Sequence, residues 1–361
     1  MLYVNARFLT QEMTGVQRFA EMISLELSVL KKDICFLCPP GILRASVAER
    51  LGVLIIGHYS GHLWEQIELP RFLKNKNNPL LLNLGSTGPV FYTNKVVTHH
   101  DVSYLRYPES YSKSFVFFYK AVIPLMVKRS RHLITVSEFS KMEINLAYNT
   151  ELDKISVIYN AANVIFEPGC NSLHNKNNDN EIYLLAVSSP NLHKNFHGML
   201  TAFMEAMDKS KLGFSIKLKI IGASSSVFSK TIYKKTMYSN NIEFIGRVND
   251  KELVELYQNA LAFIFPSFYE GFGIPPLEAQ ASGCPVVSSS RAAMPEVLGD
   301  SVLYFDPSDS DGFCNAIVNI IENHDLRNSL ITRGFENVGR FSWESSARKI
   351  IELVNKIEVS S

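Results

Sequence analysis

Net charge is almost absent from this chain. Its 36 basic side chains face 35 acidic ones, so no overall field draws it to nucleic acid or another polyanion. Cysteine is scarce too. Five residues, an odd number at irregular spacing, argue against a disulfide scaffold and fit a reducing compartment. Cys35 and Cys38 form a C-x-x-C, but they sit in the apolar run ICFLCPP with no second pair and no helix behind them, so packing is expected rather than metal or redox work. No apolar run reaches the roughly 20 residues that span a bilayer, and residues 2–4 already read as a strand rather than a signal peptide. A cytoplasmic protein is expected. Neither G-x-G-x-x-G nor G-x-x-x-x-G-K-[ST] occurs, which counts against a dinucleotide dehydrogenase and a P-loop nucleotidase.

What the chain does contain is a long alternation. Short apolar runs at 2–5, 34–37, 53–56, 80–83, 95–98, 133–136 and 155–159 are separated by segments that can form helices, and the pattern resumes at 182–187, 218–221, 242–245 and 262–265. Such alternation predicts parallel α/β sheets. The polar stretch 166–180, FEPGCNSLHNKNNDN, reads as a linker. The expected organisation is therefore an amino-terminal domain over 1–165, a linker over 166–180, a second domain over 181–340 and a final helix over 341–361. Residues 1–165 hold 18 Lys and Arg against 13 Asp and Glu, while the remainder holds 18 against 22. The basic half is the place to look for an anionic partner.

The stretch LAFIFPSFYEGFGIPPLEAQASGCPVVSSSRAAMPE, residues 261–296, is where the chain converges. An apolar strand stops at Pro266. Glu270, Gly271, Phe272 and Gly273 form a loop, and Pro275-Pro276 sets the start of a helix whose first turn is expected to carry Glu278. In open α/β sheets a strand–loop–helix junction of this kind is where ligands bind, anions meeting the free amides at the helix start. Taken alone, Glu278 could simply complement the helix dipole and Glu270 could be a solvated loop residue.

The spacing Glu270, seven residues, Glu278, with Gly271-Phe272-Gly273 and Pro276 inside it, resembles the signature of the retaining nucleotide-sugar glycosyltransferases of family 4, bacterial surface-polysaccharide type. The resemblance implies the GT-B fold, two facing Rossmann-like domains with an interdomain cleft, in which the domain over 1–165 takes the acceptor, the domain over 181–340 holds the nucleotide sugar and the helix over 341–361 packs back toward the first domain. It also implies roles: Glu278 holds the nucleotide ribose, and Glu270 lies by the donor sugar with the amides of Gly271, Phe272 and Gly273. Gly15, in the turn TGVQRFAEMI after the first strand, resembles the glycine that faces the donor phosphates. His100, preceding Asp101 after the strand at 95–98, matches the histidine near donor sugar and acceptor; the neighbouring His99 stands where the family usually has an apolar residue. Lys194 matches the lysine that meets the diphosphate. Ser188 and Ser189 stand where many members have an arginine, and Arg247 is the residue that could partly replace it.

On this resemblance the chain is expected to move a hexose, mannose-like, from GDP-mannose or a UDP- or dTDP-hexose to a lipid-linked or oligosaccharide acceptor in O-antigen or capsule synthesis. His100 and Glu270 would be catalytic, and no metal or cofactor beyond the donor is expected. Asp309-Ser310-Asp311 is formally a D-x-D, but in a polar turn before a helix it reads as caps. The helix expected over 112–131 mixes Phe115, Phe117, Phe118 and Tyr119 with five basic residues and contains no acid. It could lie on an anionic membrane at the inner face of the cytoplasmic membrane, or pack on the core with a basic solvent edge. The rival functions are a sugar-nucleotide epimerase, for which no acid and base groups are apparent, and a non-catalytic sugar-nucleotide-binding subunit.

Overall fold

The computed structural model describes residues 1–169, 181–210, 215–222 and 239–359. The chain divides into two compact units. One comprises Met1–Pro108, Ser112–Asn160 and Phe341–Ser361; the other comprises Glu109–Tyr111 and Ala161–Arg340.

The first unit is built on a seven-stranded sheet. Its strands are β1 (Leu2–Asn5), β2 (Ile34–Cys38), β3 (Leu54–Ile55), β4 (Leu81–Asn83), β5 (Lys95–Thr98), β6 (His132–Thr135) and β7 (Ile155–Val157), in the order β3-β2-β1-β4-β5-β6-β7. All pairs are parallel, with Tyr3 of β1 in register with Cys35 on one side and Leu81 on the other. β1, β4 and β5 are buried along their whole length, as strands covered by helices on both faces must be. Trp64 is fully buried among Tyr3, Leu37, Leu69, Leu73, Leu81 and Tyr92, and its indole donates to the Ile56 carbonyl at 2.8 Å. It opens a π-helical turn, Trp64–Glu68, set between the helical pieces Gly61–Leu63 and Leu69–Lys74. The wider turn brings both Trp64 and Glu65 to the interior.

The second unit repeats the plan. Its strands are β8 (Tyr183–Val187), β9 (Lys217–Ile221), β10 (Ile242–Gly246), β11 (Ala262–Phe265), β12 (Val286–Ser289) and β13 (Leu303–Phe305), in the order β10-β9-β8-β11-β12-β13, again all parallel. Its core joins Leu184, Leu218, Ile220 and Ile264 of the sheet to Phe196, Leu200 and Phe203 of the helix Phe196–Lys209 and to Phe313, Ile317 and Ile320 of Ser310–Glu322.

In both sheets the order reverses beside the first strand, between β1 and β4 and between β8 and β11. This doubly wound arrangement leaves a crevice at the carboxyl ends of those strands.

The helix of the basic aromatic stretch runs Lys113–Arg129, with the Ser112 hydroxyl accepting from the Phe115 amide at 3.2 Å as its cap. Of the expected linker, Phe166 packs edge-on against Tyr257, and the Glu167 carbonyl accepts from Gln258 at 2.7 Å; residues 170–180 lie outside the described residues. The final helix, Trp343–Val359, packs on Gly15–Leu30 of the first unit, with the rings of Phe19 and Trp343 6.1 Å apart.

Candidate functional site

The loops after β8 and β11 meet at the reversal of the second sheet. After β8 a short 3-10 turn, Leu192–Lys194, ends at Asn195, held in the left-handed region at φ 50°. After β11 the chain runs through Ser267 to Gly273, and the Phe268 amide donates to the His193 carbonyl at 2.8 Å, tying the two loops together. The Lys194 ammonium donates to Glu270 Oε1 at 2.5 Å, and the Ser267 hydroxyl donates to the same oxygen at 2.8 Å. Glu270 is mostly covered, whereas the Lys194 side chain remains 27% exposed. A lysine and a glutamate separated by 76 residues in sequence thus share the crevice.

Gly273 ends the loop at φ 89°, and a Cβ there would come within 2.6 Å of Met294 Cε. Both conformation and space demand glycine. No side chain caps the helix Ile274–Ala281 that follows, and because Pro275 and Pro276 have no N–H, the donors left at its start are the amides of Gly273, Ile274 and Leu277. The helix begins at Ile274, before both prolines, so Glu278 is its fifth residue and lies in the second turn; the first turn has no acidic residue, contrary to the expectation from sequence. Glu278 is buried, close enough to Tyr257 to add to the burial that raises that phenol's pKa. Helix-dipole compensation therefore does not account for Glu278.

Arg247 follows β10, an outer strand separated from β8 by β9, and is exposed. Of the residues singled out in this unit, Lys194, Glu270 and Gly271–Phe272–Gly273 lie on the two loops at the reversal, Glu278 is buried on the helix that follows, and Arg247 stands beyond the outer strand β10.

In the first unit, Gly15 is exposed at the start of the 16-residue helix that follows β1. The Thr14 hydroxyl bonds the Gln17 side chain instead of capping the helix. His100, just beyond β5, is buried. Its Nε2 lies 3.1 Å from the Leu84 carbonyl, and its ring stands edge-on to Phe19 at 5.1 Å. A carbonyl can only accept, so Nε2 carries the proton and Nδ1 keeps its lone pair. Burial lowers the His100 pKa against the opposing pull of Leu84 and Asp101, holding the ring neutral. His99 faces the other way, edge-on to Tyr104 and Tyr148, with burial pushing its pKa down to about 4. Adjacent residues of an extended chain alternate faces, so the two histidines have separate environments.

Sequence reasoning missed a polar network at the first reversal. Asn5, the last residue of β1, donates to Asn83, the last of β4, at 2.8 Å and to Glu65 Oε1 at 3.1 Å. Arg7 Nε donates to that Glu65 oxygen at 3.2 Å, while Arg7 Nη2 donates to Thr87 Oγ1 at 2.9 Å. Thr87 in turn donates to Glu65 Oε2 at 2.8 Å, and His62 Nδ1 lies 3.3 Å from the same oxygen. Burial would raise the Glu65 pKa, but Arg7, His62 and Thr87 more than offset it and hold the carboxyl at about 2. An asparagine ending each of two strands and a Gly-Ser-Thr-Gly turn after the second were the available signals.

Other features take the plainer of their readings. Cys38 Sγ lies 3.3 Å from the Ala6 carbonyl, its pKa pushed up to about 12 by burial, which makes it inert as a nucleophile. Asp309 caps its helix through the Gly312 amide at 3.0 Å, and Asp311 pairs with Lys209 at 3.3 Å.

Two parallel sheets of this order, each with polar side chains gathered where the order reverses, define a GT-B glycosyltransferase architecture. Known structures agree: sucrose-phosphate synthase from Thermosynechococcus elongatus aligns over 100% of this chain and 99% of its own, with a TM-score of 0.74 at 16% identity. WaaG, a glycosyltransferase involved in lipopolysaccharide biosynthesis, aligns over 98% of this chain and 99% of its own with a TM-score of 0.74 at 14% identity. The family model for glycosyl transferases group 1 matches residues 172–337. The O-antigen chain mannosyltransferase RfbU of Salmonella typhimurium is 30% identical over 320 residues, 86% of this chain and 82% of that protein. O-antigen chain mannosyltransferase B of Escherichia coli is 30% identical over 275 residues, 73% of this chain and 72% of that protein. The chain belongs to the group 1 glycosyltransferases, the family-4 enzymes that its Glu270–Glu278 spacing resembles.

Proposed function

We propose that this glycosyltransferase moves a hexose, mannose by preference, from a nucleoside diphosphate sugar to a lipid-linked or oligosaccharide acceptor during assembly of a bacterial O-antigen or related surface polysaccharide. The transfer retains anomeric configuration and uses no metal ion. The observation that carries the reading is the Lys194–Glu270 pair at the reversal between β8 and β11, beside the uncapped start of Ile274–Ala281. The sugar and acceptor classes follow the two O-antigen mannosyltransferases to which the chain is similar.

As the bond from the anomeric carbon to the diphosphate oxygen breaks, negative charge grows on the diphosphate and positive charge on the ring. Lys194 and the amides around Gly271, Phe272 and Gly273 are assigned to the first charge, with Gly15 and Arg247 as further donors to the phosphates. Glu270 is assigned to the sugar hydroxyls and Glu278 to the ribose diol. His100, neutral with Nδ1 as acceptor, takes a hydroxyl of the sugar and orients it for attack. The acceptor oxygen attacks from the face the diphosphate leaves, and its proton passes to the departing phosphate oxygen. Asp309 serves as a helix cap and Asp311 stands exposed beside Lys209, which supports a mechanism without a D-x-D metal site.

The helix Lys113–Arg129 supports peripheral contact with anionic membrane at its cytoplasmic face. Phe117 is 77% exposed, and the helix has basic residues and no acid, although Phe115, Phe118 and Tyr119 turn inward.

A thermal-shift screen against GDP, UDP and dTDP sugars selects the donor. Transfer is then followed by NMR of the product's anomeric proton, with and without EDTA. Retained configuration and an unchanged rate in EDTA are expected. An inverted product, or a rate abolished by EDTA and restored by magnesium or manganese, would overturn the mechanism.

A further inference from the structure

Glu270 is held from two directions, and both bonds end on the same oxygen. Lys194 reaches Oε1 at 2.5 Å from the loop after β8, and Ser267 reaches it at 2.8 Å from three residues upstream on the loop after β11. Oε2 has no partner among the described residues. Tyr269 and Phe272, on either side of Glu270 in the chain, are buried and fix the backbone there, so what remains to be set is the rotation of the carboxylate itself.

The two donors differ in what they can set. The Lys194 ammonium carries three N–H groups on a flexible four-carbon stem and is partly exposed, so it can serve either oxygen or lie between them. Ser267 cannot. Its hydroxyl stands on a single carbon, the residue is buried just past the end of β11, and the next amide, that of Phe268, is bonded to the His193 carbonyl at 2.8 Å. A buried hydroxyl needs a partner, and Ser267 finds it in Glu270 Oε1. The short donor therefore breaks the symmetry of the carboxylate: Oε1 is tied to the loop, and Oε2 is left as the acceptor.

We infer that Ser267 is a positioning residue for Glu270, fixing its carboxylate so that Oε2 is presented to a hydroxyl of the donor sugar. The inference rests on the assignment of Glu270 to the sugar within the glycosyltransferase reading, and deepens it. Without the serine hydroxyl the carboxylate turns against the ammonium, and Oε2 meets the sugar in only part of its orientations.

The test is calorimetry on the full chain with two probes, the nucleotide sugar selected in the thermal-shift screen and the matching nucleoside diphosphate. The difference between them is the sugar's share of the affinity. Ser267→Ala weakens the nucleotide sugar about fivefold, the size of one net hydrogen bond, and changes the nucleoside diphosphate by less than about twofold. Ser267→Cys, close in shape but a weaker donor, falls between the parent and Ser267→Ala. In Glu270→Ala, where the sugar's share is already lost, adding Ser267→Ala changes neither affinity, because the two residues act as one unit. A serine that only filled the strand end would instead lower the melting temperature and weaken both probes alike. Equal weakening of the two probes, an unchanged nucleotide sugar, or an effect of Ser267→Ala that persists without Glu270 overturns the positioning role. If Glu270→Ala leaves the nucleotide sugar bound as in the parent, the assignment of Glu270 fails and takes this role with it; a parent chain that binds no nucleoside diphosphate overturns the glycosyltransferase reading itself.

Discussion

At the reversal of the first sheet, Glu65 is sealed inside and saturated by four partners; at the corresponding place in the second, Glu270 shares one oxygen between Lys194 and Ser267 near solvent. One strand order therefore serves two kinds of chemistry. Topology decides where side chains converge, and the loops decide whether the charge there is spent on holding the fold or kept for a ligand. The difference predicts that mutations at the second reversal act mainly on rate, and those at the first mainly on stability.

Lys194→Ala puts the comparison at greatest risk. Turnover should fall about 100- to 1,000-fold, the usual effect of losing one preorganised donor to a developing anion. Melting temperature should barely move, because a partly exposed ion pair contributes little to stability. Steady-state kinetics beside a melting curve decide the matter, and a large stability loss at unchanged turnover would make both reversals structural. Glu65→Ala should show the converse, destabilising the fold by about 3 kcal/mol in urea titrations because Arg7 and Asn5 lose a buried partner. Gly273→Ala should cost about 2 kcal/mol, combining a left-handed backbone with a clash against Met294. Guanidinium unfolding that leaves the midpoint unchanged would show that the loop relaxes freely.

The smallest effect concerns pH. Buried His99 stays neutral down to about 4, whereas in the unfolded chain it takes a proton near its ordinary value of 6.5. Between those values the unfolded state binds more protons, so stability rises with pH and is lost as pH falls toward about 4. His99→Leu should therefore lose less of its melting temperature than the parent on acidification. An equal loss in both proteins would place the sensitivity elsewhere, His100 being the next residue to replace.

Much of this was legible in the chain because it is local. Apolar runs placed β1 to β11 to within a residue or two, though β12 and β13 were not expected from them, and the glycines and prolines around Gly273 marked the loop after β11. The sequence expectation sets Glu278 one turn early because it starts the helix at proline, whereas the left-handed Gly273 ends the loop and the helix begins at Ile274. The polar network around Glu65 was invisible for a different reason. Arg7, Glu65 and Thr87 are separated by 22 to 80 residues and become neighbours only through the reversal of strand order and the inward turn of a π-helix. No periodicity records such a meeting.

The helix Trp343–Val359 belongs to the unit that begins at Met1, so the second unit is an insertion into the first. A ribosome delivers the chain in order, and the consequence is one of timing. The inserted unit, complete at Arg340, can finish folding while the surrounding one still waits. Until Trp343 emerges to cover Phe19, and Ser346 to meet the Tyr159 carbonyl, part of the helix that starts at Gly15 stays bare. A nascent chain stalled a few residues short of its last helix would be sound in its middle and open at its beginning, and quality-control proteases would find it there.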